Sequence, residues 1–259
     1  MRSLKLFLLF SQFALKSTFQ ARFGVVLFIA GKIVRFLFLF ALIFIVFGKV
    51  TSIKGYLLNQ IIIFYLTFNV IDTISQILFR EVYRFRSLVT NGHLDQILLK
   101  PYHPFLRVLV GGIDFLDVIV LFPYLGITFW YIFQTPLITT GGLFVYVALL
   151  FNALIIVTSL HIFALAIGIL TTEVDHTMMI YRDLTTMGRF PMDIYKEPVR
   201  SIFTFIIPIG VMMTFPTKAL FGLLSPIFIP LSFVLSCSLL ILSILVWNRA
   251  LKQYQSWGS

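Results

Sequence analysis

The sequence predicts an all-α polytopic membrane protein with six transmembrane helices. Of its 259 residues, 59% are hydrophobic and only 12% are charged, a balance far more apolar than that of a soluble domain of this length. Six stretches are long and apolar enough to form helices across a bilayer core about 30 Å thick. A transmembrane barrel would instead show alternating segments of about ten residues. No such alternation is found in the sequence, so the membrane segments are predicted to be helical.

The whole chain, residues 1–259, is predicted to form one membrane domain, and the positions of five of its six spans are predicted without an alternative. The first four spans and the last are predicted at residues 24–48, 56–79, 105–133, 141–170 and 226–247. The remaining span has two interpretations. In the first, residues 173–200 form a cytoplasmic loop and residues 201–222 form the fifth span. In the second, residues 173–189 form a polar fifth span, and residues 194–222 form a re-entrant helical hairpin that enters the membrane from outside and returns.

Prolines and glycines in the late segment favour the second interpretation. Pro208, Gly210, Pro216 and Gly222 all fall within one supposed span. Each proline removes a backbone hydrogen bond that lipid cannot replace. A broken hairpin accommodates these residues better than a continuous helix does.

Basic residues flank the apolar segments, and they predict the orientation of the chain. The net charge is +10, but the lysines and arginines lie beside spans, so they indicate topology and not a nucleic-acid partner. The positive-inside rule places both termini and the loop at residues 80–104 in the cytoplasm. Residues 3–20 carry a polar side and an apolar side, which predicts an uncleaved amphipathic helix in the cytoplasmic membrane interface.

Three acidic residues inside predicted spans are candidates for ion or proton transport. Burying a carboxylate costs several kcal/mol unless a partner or water is present. Asp114 and Asp117 lie three residues apart on one helical face, and Asp72 lies in the second span. The functional hypothesis is a proton or cation pathway. The structural alternative is that Asp114 and Asp117 pair with Arg107 or with arginines of the preceding loop.

The polar fifth span would carry a charged stripe. Asp175, Arg182 and Arg189 recur every seven residues, and Asp183 lies beside Arg182. On a helix this stripe is too polar for lipid, so it would face a partner helix, a second subunit or a watery pathway. If residues 173–200 form a loop, the same residues are ordinary surface charges.

No enzyme is predicted, because the sequence lacks the clustered residues that catalysis requires. Histidine, serine and aspartate do not occur in any recognisable catalytic or metal-binding pattern. The nearest approach to a nucleotide-binding loop is "GVVLFIAGKI". It has six residues between its glycines, and Ile33 stands where Ser or Thr would hold Mg²⁺. ATP binding through a P-loop of this chain is therefore not expected.

The loop "REVYRFRSLVTNGHLDQILLKPYHP" has the features of a short docking helix. Asn91-Gly92 is a turn signal, and Asn91 is predicted to cap a helix over residues 92–99 that Pro101 stops. Its residues Leu94, Ile97 and Leu98 share one face. A helix of two turns is too short to be stable alone. It must pack against the membrane surface or into a groove on another protein.

Two motifs resemble the permease subunits of ABC-2-type exporters. The first is "GHLDQILLKP", which is similar to the Gly-x-Leu-Asp-x-x-Leu-x-Lys-Pro loop of that family. The second is "RFPMDIYKEPVRSIFTFIIPIGVMMTFPTKALFG", residues 189–222, which resembles the family's late segment with its aromatic-Pro steps. The motifs occur in the expected order, and with the amphipathic start they extend the resemblance over nearly the whole chain.

The resemblance implies half of an ABC exporter in the bacterial inner membrane. The chain would pair with a second permease subunit, identical or related, and with two cytoplasmic ATPase subunits. ATP and Mg²⁺ would bind those ATPase subunits, and this chain would hold no cofactor. Lipid would surround the spans, and no nucleic acid would take part.

The resemblance also assigns roles to two segments. The loop between spans two and three would hold the coupling helix: Gly92 allows the turn, Leu94, Ile97 and Leu98 fill an ATPase groove, Asp95 meets polar groups at its rim, and Lys100 and Pro101 stop the helix. The late segment would be the re-entrant hairpin that caps the exit on the outer side, with Phe190, Pro191, Pro208, Pro216 and Gly222 as its motif residues. Asp175, Arg182, Asp183 and Arg189 would then belong to the polar fifth span, near the pathway.

Overall fold

The computed structural model describes residues 2–20, 22–136, 138–171 and 174–254, and most of this part is helical. The helices in chain order are α1 (Arg2–Gln20), α2 (Arg22–Phe47), α3 (Leu58–Phe79), α4 (Phe85–Thr90), α5 (His93–Leu98), α6 (Phe115–Phe133), α7 (Thr140–Thr171), α8 (Val174–Thr186), α9 (Val199–Ile206), α10 (Gly210–Leu220) and α11 (Phe228–Gln253). The segments long and apolar enough to span a membrane are α2, Leu58–Thr90, α6, α7 and α11. The bent pair α9–α10 makes a sixth if it is counted as one span. The fold is that of an all-helical polytopic membrane protein.

The helices α2, α3 and α7 coincide with the first, second and fourth predicted spans, within two residues at each end. The third span begins ten residues later than predicted, at Phe115. Gly111 has a φ of 55°, a conformation that glycine adopts without strain. Asp114 then caps α6 by accepting a hydrogen bond of 3.0 Å from the backbone N–H of Leu116. Residues Leu106–Val110 form a separate π-helical turn.

Helix α7 lies at the centre of the molecule. It packs along the length of α11 and also contacts α3, α8 and α10. By contrast, α2 and α11 expose large apolar side chains on their outer faces, such as Phe38 (69% exposed) and Val234 (62% exposed). Two long helices with apolar outer surfaces are typical of a protein surrounded by lipid.

Helix α8 runs beside α3 in the opposite direction. Near its beginning, Asp175 pairs with Arg86 of α4, just after the end of α3. Further along, Arg189 lies over the Phe68 ring in the middle of α3. Beyond it, Asp193 accepts a hydrogen bond from Tyr56, just before the start of α3. The chain from residue 174 to residue 193 therefore follows the whole length of α3.

Helices α9 and α10 form a hairpin with an 80° bend. Pro208 lies at the bend, and an added Cβ on Gly210 would stand 2.7 Å from Thr204 Oγ1 of the other arm. At the far end of the returning arm, an added Cβ on Gly142 at the start of α7 would stand 2.9 Å from the Leu220 carbonyl oxygen. The hairpin thus begins and ends on the side of the molecule where Tyr56 lies, and its bend lies away from that side. Residues 201–222 therefore do not form a continuous helix. It stays a prediction that the hairpin enters the membrane from outside and returns.

Candidate functional site

A polar cleft lies between α2 and α8, with α3 as its floor. Its volume is about 440 Å³. Arg35, Arg182 and Asp183 are exposed, and Arg189 is half-buried, so the cleft is open on one side. The lining residues are Arg35, Phe68, Asp72, Gln76, Met179, Arg182, Asp183, Thr185, Thr186 and Arg189. Three of the four residues of the predicted charged stripe are therefore brought together at one cavity.

The arginines of the cleft share it with the Asp72 carboxylate but are not paired with it. Within the described ranges, Arg35, Arg182 and Arg189 form no ion pair. The Arg189 guanidinium lies 5.5 Å from the centre of the Phe68 ring, a cation–π contact. Its Nε is buried and makes no hydrogen bond. Arg35 is not among the residues that the sequence predicts for the site. Its position in the middle of the apolar helix α2 could have indicated it, because a charged residue there needs a polar environment.

The floor of the cleft continues into a buried polar chain. Asp72 accepts a hydrogen bond of 2.8 Å from Gln76 Nε2. Lys32 Nζ in turn donates to Gln76 Oε1 over 3.2 Å and forms an ion pair with the fully buried Asp117. The Asp72 carboxylate is thus the acidic group at the floor, and Lys32 joins it through Gln76 to Asp117.

The other two intramembrane acids have basic partners. Arg80 Nε lies 3.4 Å from Asp114 Oδ2, and Arg80 Nη1 lies 3.9 Å from Asp117 Oδ2. Arg80 follows α3 directly, so the structural alternative holds for Asp114 and Asp117: they pair with an arginine of the preceding loop. Arg107, the named alternative partner, instead bonds Glu81 over 2.8 Å. These pairs neutralise both aspartates without a transported ion.

Asp175 lies outside the cleft, unlike the other stripe residues. Its Oδ2 lies 3.1 Å from Arg86 Nη1, and both side chains are about half exposed. The seven-residue spacing predicts that Asp175 shares a face with Arg182 and Arg189. In the structure, the beginning of α8 contacts α4 through Asp175, and the later part of the 13-residue helix lines the cleft. Helix α8 thereby connects the loop after α3 with the cleft.

The short helix after the Asn91-Gly92 turn forms, but its cap differs from the prediction. Gly92 has a φ of 69° and is the N-cap residue of α5 (His93–Leu98). No side chain caps this helix, so the prediction that Asn91 caps it is wrong. Asn91 instead donates its backbone N–H to the Ser87 carbonyl over 3.2 Å, at the end of α4. Glycine is favoured there because a positive φ strains residues with a Cβ.

The predicted groove-filling face of α5 points into this chain. Leu94 is 0% exposed and Ile97 is 8% exposed, and both belong to the core, while Leu98 packs against it. A buried side chain cannot fill a partner's groove without leaving its own core, so that prediction is wrong for Leu94 and Ile97. Leu99, by contrast, is 86% exposed. The other exposed residues of this surface are His93, Gln96, Lys100 and Pro101.

The end of α11 approaches α5 near Asp95, which is only partly exposed. Burial, and then the nearby Asp95 carboxylate, raise the pKa of Tyr254 to about 12. Farther back in α11, the Trp247 ring contacts Phe85 of α4 at 6.3 Å between ring centroids. The helix pair α4–α5 is therefore anchored on α11 as well as on α8.

The base of the hairpin is a closed cluster of charges around Asp193. Its carboxylate accepts a hydrogen bond of 2.7 Å from the Tyr56 hydroxyl. It also forms ion pairs with Arg200 at 2.6 Å and with Lys218 at 3.0 Å. Burial would raise the pKa of Asp193, but the Tyr56 hydrogen bond and the Lys218 and Arg200 charges outweigh it and hold the pKa below its ordinary value. Asp193 thus joins both hairpin arms to the segment before α3.

The remaining hairpin motif residues have structural roles. Pro191 is buried, and Phe190 packs against a core cluster around α2 and α3. Pro216 lies in α10 directly after the junction between its π-helical turn and its α-helical part. Gly222 follows α10 with a φ of 68°. Pro208 alone among these residues lies at the bend.

Comparison with protein families assigns the chain to a known group. A family model described as "ABC-2 family transporter protein" matches residues 33–258. The match includes the cleft, the α4–α5 pair and the hairpin. Comparisons with curated proteins and with solved structures found no match. Since the family match covers most of the 259 residues, the chain belongs to the ABC-2 transporter family.

Proposed function

We propose that this chain is the permease subunit of an ATP-driven exporter and forms half of its translocation pathway. Its partners would be a second permease subunit, identical or related, and cytoplasmic ATPase subunits that bind ATP and Mg²⁺. The observation that supports this most is the path of α8. It begins on α4 through the Arg86–Asp175 ion pair and ends at a cleft lined by unpaired arginines.

The anchoring of α4–α5 suggests how motion would reach the cleft. Leu94 and Ile97 are buried in the chain's own core, and Trp247 lies against Phe85. Because its apolar side is fixed in this way, the helix pair would move as one body with α8 and α11. Closure of the ATPase dimer on ATP would push α4–α5, and α8 would carry the displacement to the cleft.

The surface that meets the ATPase would be the exposed side of α5 and the residues that follow it. Leu99 is its most exposed apolar side chain, and Lys100 and Gln96 flank it. Burying so exposed a leucine in an apolar groove of the ATPase would remove its side chain from water, which favours association. The apolar contact thus shifts from Leu94 and Ile97 to Leu99.

The rival function, a proton-coupled or ion-coupled carrier, has less support. It would use Asp72, Asp114 and Asp117, but Asp114 and Asp117 are paired with Arg80 and Lys32. A carboxylate that carries protons must release and rebind them, and a neighbouring cation opposes protonation. Asp72 accepts a hydrogen bond from Gln76 and lines the cleft, so the export pathway that we propose already includes it.

Copurification tests the coupling surface. Leu99→Glu should abolish copurification of a P-loop ATPase with the tagged chain, because it places a charge in the centre of the apolar contact. Leu57→Glu is the matched control. Leu57 is also an exposed leucine (55% exposed), but it lies directly before α3, at the end of that helix that is far from α4–α5. An ATPase that stays bound to the Leu99→Glu variant, or a wild-type chain that purifies without one, would contradict the proposal.

Cysteine labelling tests the orientation, which we propose to be both termini inside in a bacterial inner membrane. In a chain with Cys237→Ala, a cysteine at the exposed Lys196 should react with an impermeant maleimide added outside intact cells. A cysteine at His93 should react only after the cytoplasmic side is opened. Labelling of position 196 from the cytoplasm alone would reject the re-entrant hairpin.

A further inference from the structure

We infer that the cleft binds the anionic headgroup of an amphiphilic substrate, an inference that rests on the proposed export function. The cleft is lined by three guanidinium groups and two carboxylates, which leaves an excess of positive charge. The three cations exceed the two carboxylates by one charge, because the hydrogen bond from the neutral Gln76 amide leaves the charge of Asp72 unchanged.

The depth of Arg35 makes that excess meaningful. It lies thirteen residues after Arg22, in the middle of a span of 26 residues. Charged side chains at such depth are costly and are usually paired or face a polar cavity. Arg35 lines the cleft and has no ion-pair partner in the part of the chain that the structure describes. A bound anion would compensate this charge.

Arg189 provides a directed donor for the same anion. Its Nε is buried and makes no hydrogen bond, and buried donors normally have a partner. The contact with Phe68 holds the guanidinium plane in place, which reduces the entropy lost on binding. A guanidinium matches carboxylate and phosphate oxygens with two parallel hydrogen bonds. The headgroup class is therefore a carboxylate or a phosphate.

Apolar surface beside the cleft fits a hydrocarbon tail. Phe68 forms part of the floor, and Met179, which is 61% exposed, forms part of the α8 wall. Ile180 follows Met179 on α8 and is 59% exposed. A ligand with its charge between the arginines would lay its tail over Met179 toward the lipid. An anionic lipid of the bilayer and a free anionic amphiphile share this chemistry.

The test uses the tagged protein, with all subunits that copurify with it, in nanodiscs of phosphatidylcholine. The probe is radiolabelled dodecyl phosphate, and the readout is its saturable binding. Arg189→Gln should raise the Kd about tenfold, because one charge-assisted hydrogen-bond pair is lost. Arg189→Lys should restore part of the affinity. Arg249→Gln, a matched charge loss on an exposed arginine of α11, should leave the Kd unchanged.

Arg35→Gln provides a second, independent variant on an exposed side chain. It should also raise the Kd, so a folding defect of Arg189→Gln leaves the inference testable. Dodecyltrimethylammonium should not compete with the probe. Equal competition by this cation, or unchanged affinity in both glutamine variants, would overturn the inference.

Replacing part of the phosphatidylcholine with phosphatidylglycerol separates the two sources of the ligand. Reduced probe binding would identify a bilayer lipid as the ligand, and unchanged binding would identify a free amphiphile; both support an anionic headgroup. An ATPase that copurifies without any probe binding would reject this inference and leave the proposed function intact. Probe binding without a copurifying ATPase would reject the proposed function and leave the anion site intact.

Discussion

The cleft and the base of the hairpin both contain clustered charges, but only one cluster is internally satisfied. At the hairpin base, Asp193 is bonded by Tyr56, Arg200 and Lys218. In the cleft, Arg35 and Arg189 have no ion pair among the described residues. Charges that neutralise one another hold elements together, whereas charges left unpaired are available to a ligand. The cluster at the hairpin base therefore holds the fold together, and the cleft is the region that we propose for ligand binding.

The largest effect is expected from Asp193→Ala. It leaves Lys218 and Arg200 without their acidic partner, and Asp193 and Lys218 are only about one-fifth exposed. Breaking such a pair costs about 3 kcal/mol. We expect a clearly lower apparent Tm in detergent. Asp183→Ala, which removes an exposed carboxylate of the cleft, is the control and should change the free energy of unfolding by less than about 0.5 kcal/mol. Equal losses in the two variants would contradict the distinction.

A smaller loss is expected from Gly210→Ala at the hairpin bend. The new Cβ would stand 2.7 Å from Thr204 Oγ1 and 3.0 Å from Thr204 Cα, so the two arms would have to separate. Overpacking of this kind costs about 1–3 kcal/mol, measured as a lower apparent Tm. Gly126→Ala in α6 meets nothing within 4 Å and should be neutral or slightly stabilising. A neutral Gly210→Ala would show that the arms are not held this closely.

Substitution in the cleft should affect transport and not stability. Arg182→Gln removes an exposed charge that has no ion-pair partner in the described ranges, so the free energy of unfolding should change by less than about 0.5 kcal/mol. Substrate-stimulated ATP hydrolysis by the complex should fall. A strong loss of stability would mean that Arg182 has a structural function like that of Asp193.

The smallest effect concerns pH and the hairpin base. The pKa of Asp193 is held below its ordinary value. The ion pairs of the Asp193 carboxylate therefore stabilise the folded protein fully above about pH 4, the pKa of an unfolded aspartate. This stabilisation is lost only as the pH falls through the lower folded-state pKa. Lowering the pH from 7 to 5 should therefore leave maleimide labelling of a cysteine at Lys196 unchanged, after correction for thiol ionisation on a free peptide. Increased labelling over this range would show that Asp193 is already protonating.

Much of the fold follows from the sequence because long apolar segments leave few alternatives. The limits of α2, α3 and α7 agree with hydropathy, and Pro208 correctly indicated a break. The start of α6 was missed because residues 105–113 are apolar, although Gly111-Gly112 was a local signal against a helix. Hydropathy averages over such a pair.

The site was predicted less completely, because its residues come from three helices. Arg35 is one charge in an apolar helix, and nothing in the sequence places it opposite Arg189. The apolar face of α5 was recognised, but periodicity shows only that Leu94 and Ile97 are covered. It does not show whether this chain or a partner covers them. The core supplied by α4 and α11 decides that question.

The central claim is that ATP controls access to the cleft. A cysteine at Met179, an exposed lining residue, in a chain with Cys237→Ser reports this directly. Its labelling by an impermeant maleimide is measured from each side of the membrane, with and without ATP and vanadate. The proposed function predicts that nucleotide lowers labelling from the cytoplasmic side and raises it from the outer side. Labelling rates that nucleotide does not change on either side, in a complex that hydrolyses ATP, would contradict it.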